Sequence, residues 1–134
     1  MLNYKVLCLG NEFIQKDSFA KRLFKKLKKE NPNFQFINIK DTFQLIDYLK
    51  SNEELIILDT VENLNETKEI QIKELSKNKI ISLHDLDAQF FLELLGNKSK
   101  IKIIGIPEKG NKGETTKKIK RILKSFLLHF QKMC

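Results

Sequence analysis

The chain has 134 residues, 41% of them hydrophobic, which is enough for one core of ordinary domain size. No apolar run approaches the roughly 20 residues that a membrane span needs. The opening Met1-Leu2-Asn3-Tyr4-Lys5-Val6 reads straight into a strand rather than into a signal peptide. One domain over 1–134, cytoplasmic, monomeric and without a membrane partner, is therefore the expectation. The formal charge of +8 raises nucleic acid as a partner, but no zinc finger or aromatic base-stacking motif accompanies it, and none is expected.

The apolar run Tyr4 to Leu9 is short and nearly continuous, as in a strand buried on both faces of a parallel sheet. Cys8 inside it reads as a small buried hydrophobe. With Cys134 it has no metal-like spacing, so neither a disulfide nor a zinc site is expected. Gly10 and Asn11 shape the turn that follows. The first helix is expected over residues 17–30: positions 19, 20, 23, 24 and 27 form one apolar stripe, and Asn31-Pro32-Asn33 stops it. Lys21, Lys25, Lys28 and Lys29 fall between the apolar positions. They read as a solvated helix face, with a basic surface that steers an acidic protein partner as the other possibility.

Residues 34–39 make a second strand. Asp41, with Gln44 three residues on, resembles a capping box and opens a helix expected to bury Phe43, Leu45, Ile46 and Leu49. Residues 55–58 make a third strand that runs directly into Asp59. The alternation in residues 68–73 suits a strand with one wet face. Its link to the third strand is too short for a helical crossover, so it is expected to be antiparallel and near an edge. Ser82 and Asp85 form a second capping signature, opening a helix with Phe90, Phe91, Leu94 and Leu95 on one stripe and Gly96 as its stop. His84 then falls in the first turn, where the helix dipole favours a neutral ring. Residues 101–107 are the last strand, followed by a loop containing Gly110 and Gly113. A closing helix carries its stripe at Ile119, Ile122, Leu123, Phe126, Leu127 and Phe130. The order β-α-β-α-β-β-α-β-α predicts an α/β fold: a three-layer α/β/α sandwich on a mostly parallel five-stranded sheet with one antiparallel strand.

Three groups stand out for chemistry: Asp17, Asp59 and His84. Carboxyl ends of parallel strands share one rim, so residues far apart in sequence can converge there. Two carboxylates and a neutral imidazole suit a borderline divalent ion such as nickel or zinc. Taken singly, each has a plainer explanation: an N-cap for Asp17, a turn former for Asp59 and a solvated ring for His84.

Gly10-Asn11 with an acid six positions after the Asn, Ile56-Ile57-Leu58-Asp59-Thr60-Val61, Ser82-Leu83-His84-Asp85-Leu86 and Ile104-Gly105-Ile106-Pro107 together resemble, in order, the four signatures of the hydrogenase maturation endopeptidases. The resemblance implies that Asp17, Asp59 and His84 bind metal and carry the reaction. It also implies the substrate: the precursor of a nickel-iron hydrogenase large subunit, whose C-terminal extension is removed after nickel insertion. The nickel would belong to the precursor, with no tightly held metal in the protease. This chain departs from the family pattern at Lys16, at Ser18-Phe19-Ala20 and at Asp41-Thr42. Active and inactive paralogues both fit the pattern. From another class, a receiver-like signalling domain would use Asp59 as phosphoacceptor, but Gly10-Asn11 replaces its acidic pair and Ile106 its lysine.

Overall fold

The computed structural model describes residues 4–9, 19–39, 41–51, 53–61, 64–71, 101–107 and 111–132. In chain order these form β1 (Tyr4–Leu9), α1 (Phe19–Glu30), β2 (Phe34–Ile39), α2 (Thr42–Lys50), β3 (Leu55–Val61), β4 (Lys68–Ile70), β5 (Ile101–Pro107) and α3 (Lys112–Lys132). The strands make one sheet in the order β2-β1-β3-β5-β4. Four are parallel to one another, while β4 lies antiparallel to β5 at the edge, as its short link to β3 requires. The expected α/β sandwich is present.

Two apolar clusters, one on each face, explain why the central strands read as unbroken apolar runs. Strand side chains alternate between faces. Val6, Cys8, Ile56, Leu58, Ile104 and Ile106 therefore pack on one side under Leu23, Phe24 and Leu27 of α1 and Ile119, Leu123 and Phe126 of α3. Leu7, Leu9, Leu55, Ile57, Ile101 and Ile103 pack on the other, with Leu45 and Leu49 of α2. The chain winds outward from β1 to β2, then returns across the sheet to β3 on the far side of β1. The direction of winding thus reverses between β1 and β3, and the carboxyl ends of those two strands form the topological switch point.

Local signals hold where they concern a single turn. The Asp41 carboxylate accepts from the Gln44 N–H at 2.8 Å, capping α2 as its sequence suggests. Asn31 ends α1, its side-chain amide donating to the Leu27 carbonyl at 2.9 Å. Signals that depend on facing do not all hold. Phe43, expected in the core, is 80% exposed. The buried stripe of α2 runs through Leu45 and Leu49, four apart, and Phe43 precedes Leu45 by two residues, about 200° round the helix.

Three boundaries also differ. The third strand does not stop at Leu58 but continues to Val61, because Asp59, Thr60 and Val61 pair with Gly105, Ile106 and Pro107 of β5. The edge strand covers 68–70, matching its three partners in β5, and Gln71 lies beyond it; the rest of the expected strand, residues 72 and 73, lies outside the described residues. Gly113, expected in a loop, lies in the first turn of α3. The Asn111 side chain accepts from the Glu114 N–H at 3.0 Å and so starts the helix earlier than its apolar stripe indicates. The expected helix after Ser82 lies outside the described residues. Among the described residues no helix is long and apolar enough to cross a membrane.

Candidate functional site

The site is built outward from Asp59. It sits near the carboxyl end of β3, at the switch point, with no accessible surface. Its side chain falls on the same face as Leu55 and Ile57, the α2 side, by the alternation of the strand. Its Cα partner on β5 is Gly105, so no side chain from that position crowds the carboxylate. The Thr60 N–H donates to Asp59 Oδ1 at 2.8 Å, which fixes the orientation of the carboxylate. A buried carboxylate is expensive unless hydrogen-bonded, paired or coordinated. An acid at this point, amid apolar or small positions at the carboxyl ends of β3 and β5, is therefore a functional-site candidate.

Its charge is felt next door. Burial, and then the charge of Asp59, push the Cys8 thiol well above its ordinary value. Both effects favour the neutral thiol over the thiolate that reactivity needs. The structure shows it as a free, buried cysteine, in keeping with its reading as a small hydrophobe.

Of the residues singled out in the sequence, Asp59 is the one the structure describes. Asp17 and His84, and the turn residues Gly10 and Asn11, lie outside the described residues, so the convergence of the three ligand candidates remains an expectation. The described residues hold no group of three or more His, Cys, Asp or Glu able to share an ion. The Asp59 carboxylate is a hard oxygen donor able to take a place on a divalent ion without selecting which one, and the backbone N–H on its Oδ1 is the kind of outer contact that orients such a ligand.

The structure adds further features to this rim. Among the described residues, the Thr60 hydroxyl and the Asn38 side-chain oxygen are both buried without a hydrogen-bond partner. They stand at the carboxyl ends of β3 and β2, on the α1 and α3 face opposite Asp59. The sequence offered a signal for Thr60, a polar residue following an acid inside an apolar run. Gly105 was legible only as part of a motif. In the structure a Cβ there would come within 2.9 Å of Val61 Cγ2 and 3.0 Å of Ile70 Cγ1, so the strand admits no side chain beside Asp59 without displacement.

Compared with known proteins, residues 20–127 match the family model for hydrogenase maturation protease. The matched span includes Asp59 and His84 and begins after Gly10, Asn11 and Asp17. Among solved structures, that of an uncharacterized protein from Wolinella succinogenes is similar at 20% identity, covering 79% of this chain and 74% of that one, with a TM-score of 0.47. Among curated proteins, none matches the chain.

Proposed function

The chain belongs to the hydrogenase maturation protease family, and from that premise we propose that it removes the C-terminal extension of a nickel-iron hydrogenase large-subunit precursor once nickel is in place. The precursor-bound nickel is part of the substrate. Asp59 and, by the motifs that carry the resemblance, Asp17 and His84 would take positions on that ion, so that the metal-loaded precursor is held and the empty one is not. The ion or a water bound to it would then polarise the scissile carbonyl or supply the nucleophile. What this chain contributes is position. A carboxylate held on a rigid strand, oriented by the Thr60 N–H and walled by the close-packed Gly105 position, has little freedom to lose on engaging the substrate.

The observation that supports this most directly is the position of Asp59 at the β1/β3 switch point, with its carboxylate oriented by the Thr60 N–H. The receiver-like alternative is not retained, because the chain's family is that of a peptidase. The test is cleavage of the nickel-loaded precursor beside the nickel-free form, by the natural chain and by Asp59→Asn, together with nickel or cadmium titration. Cleavage of the loaded form alone, abolished in Asp59→Asn, is the expected result. Equal cleavage of both forms, or full activity in Asp59→Asn, would refute it.

A further inference from the structure

The charge of the molecule is not spread evenly. Between them α1 and α3 carry thirteen Lys and Arg and two acids, Glu30 and Glu114. The whole chain has 25 basic and 17 acidic residues, so everything outside these helices holds twelve basic residues against fifteen acids. The two helices therefore carry a formal +11 and the remainder −3. Although about ninety residues apart in sequence, they pack beside each other on one face of the sheet through Leu23, Phe24, Leu27, Ile119, Leu123 and Phe126. Lys25, Lys28, Lys29, Lys120, Arg121 and Lys124 are exposed.

A merely solvated helix face mixes charges, because opposite signs four residues apart stabilise a helix and like signs destabilise it. Here Arg22 and Lys26, Lys25 and Lys29, Lys117 and Arg121, and Lys120 and Lys124 stack like charge on like, against two opposite-sign pairs, Lys26 with Glu30 and Glu114 with Lys118, and an ion pair from Lys118 to Glu66. Such a face is relieved by a partner of opposite sign. Eleven of the thirteen basic residues are lysines, compact point charges that attract carboxylates and phosphates alike, so the class of partner follows from the peptidase family, whose substrate is a protein. Among the described residues the exposed large hydrophobics are Phe43, on α2, and Leu128. The face therefore shows no aromatic platform for bases and little to insert into a bilayer.

We infer that the outer surface of α1 and α3 is a docking face for an acidic protein surface, presented by the precursor. It lies on the opposite side of the sheet from the Asp59 side chain. The choice of the precursor as partner rests on the protease function proposed above, whereas the docking face itself rests on charge and packing.

The full chain is tested against a poly-glutamate peptide at about 50 mM and about 300 mM salt, a range over which exposed charges become strongly screened. Lys25→Glu/Lys124→Glu is compared with Lys50→Glu/Lys68→Glu, which makes the same change in net charge on the α2 side of the sheet. Binding that weakens with salt, falls about tenfold or more in the first variant and by less than about twofold in the second is the expected result. The first variant should also unfold at an equal or higher temperature, since an acid at position 25 would face Lys29 one turn on; this separates lost docking from lost structure. Equal losses in the two variants, no binding by the natural chain, or tighter binding to duplex DNA or phosphatidylglycerol vesicles would overturn the docking face. With the nickel-loaded precursor, the first variant should raise KM and leave kcat unchanged; an unchanged KM would overturn the precursor as partner. If the natural chain does not cleave the precursor, the protease function fails and the peptide binding alone decides the docking face.

Discussion

Replacing Gly105 by alanine should destabilise the protein, against the usual effect of that exchange. Alanine restricts the unfolded chain more than glycine does, which by itself favours folding by about 0.5–1 kcal/mol. In β5, however, the added Cβ would lie 2.9 Å from Val61 Cγ2, 3.0 Å from Ile70 Cγ1 and 3.2 Å from Ile70 Cδ1, where carbon atoms ordinarily sit about 3.5–4.0 Å apart. The end of Ile70 can turn away, but the short Val61 side chain has no such freedom inside a strand with no exposed residue. Against the immobile Val61 the cost falls in the upper part of the range for overpacked interiors, about 2–2.5 kcal/mol, leaving a net loss of about 1–2 kcal/mol. With an unfolding entropy of about 2.1 cal/mol/K per residue, a chain of 134 residues changes by about 0.28 kcal/mol per kelvin. Tm should therefore fall by about 3–7 °C. Thermal unfolding followed by circular dichroism measures this, and Gly105→Val should fall further. Hydrogen exchange should quicken first in β4, a three-residue edge strand held to β5 at Gly105, Ile104 and Ile103. A Tm unchanged or raised in Gly105→Ala would refute the close packing beside Asp59.

Three further outcomes follow from the same structure. Asp41→Ala removes the acceptor of the Gln44 N–H and should cost about 1 kcal/mol in denaturant unfolding, with Asp41→Asn close to neutral. Phe43→Ser, at a position 80% exposed, should change stability by less than about 0.5 kcal/mol, whereas Leu49→Ala in the same helix, 1% exposed, should cost about 2–5 kcal/mol. Cys8 gives a pH signature. Its thiol is raised in the folded chain from an ordinary value of 9.0, so its contribution is fully present below that pH. As pH rises past 9.0 the unfolded thiol ionises and the folded one does not. Stability should then fall by about 1.4 kcal/mol per pH unit more steeply than in Cys8→Ala. In a Cys134→Ser background, native Cys8 should also resist alkylation until the chain unfolds; labelling at the rate of a free thiol would contradict its burial.

What acts over one or two turns can be read from local sequence. Strand and helix periods, the Asp41 cap, the Asn31 stop and the antiparallel β4 were all legible, because each follows from neighbours a few residues apart or from the length of one link. The motifs around Asp59 and His84 likewise pointed to the family through short stretches of chain. Pairing partners, by contrast, are not written locally. That Asp59 lies inside β3 depends on Gly105, Ile106 and Pro107 some forty-six residues later. That Phe43 faces outward depends on which arc of α2 the sheet covers, and a helical stripe read alone leaves that arc open at its edges. Gly113 joined α3 because the Asn111 side chain captured a backbone N–H, a contact that outweighs glycine's poor propensity in a first turn. The basic surface shows the division most clearly. Two lysine-rich stretches in sequence are two solvated helix faces, and only the packing of α1 and α3 side by side on one face of the sheet turns them into one surface.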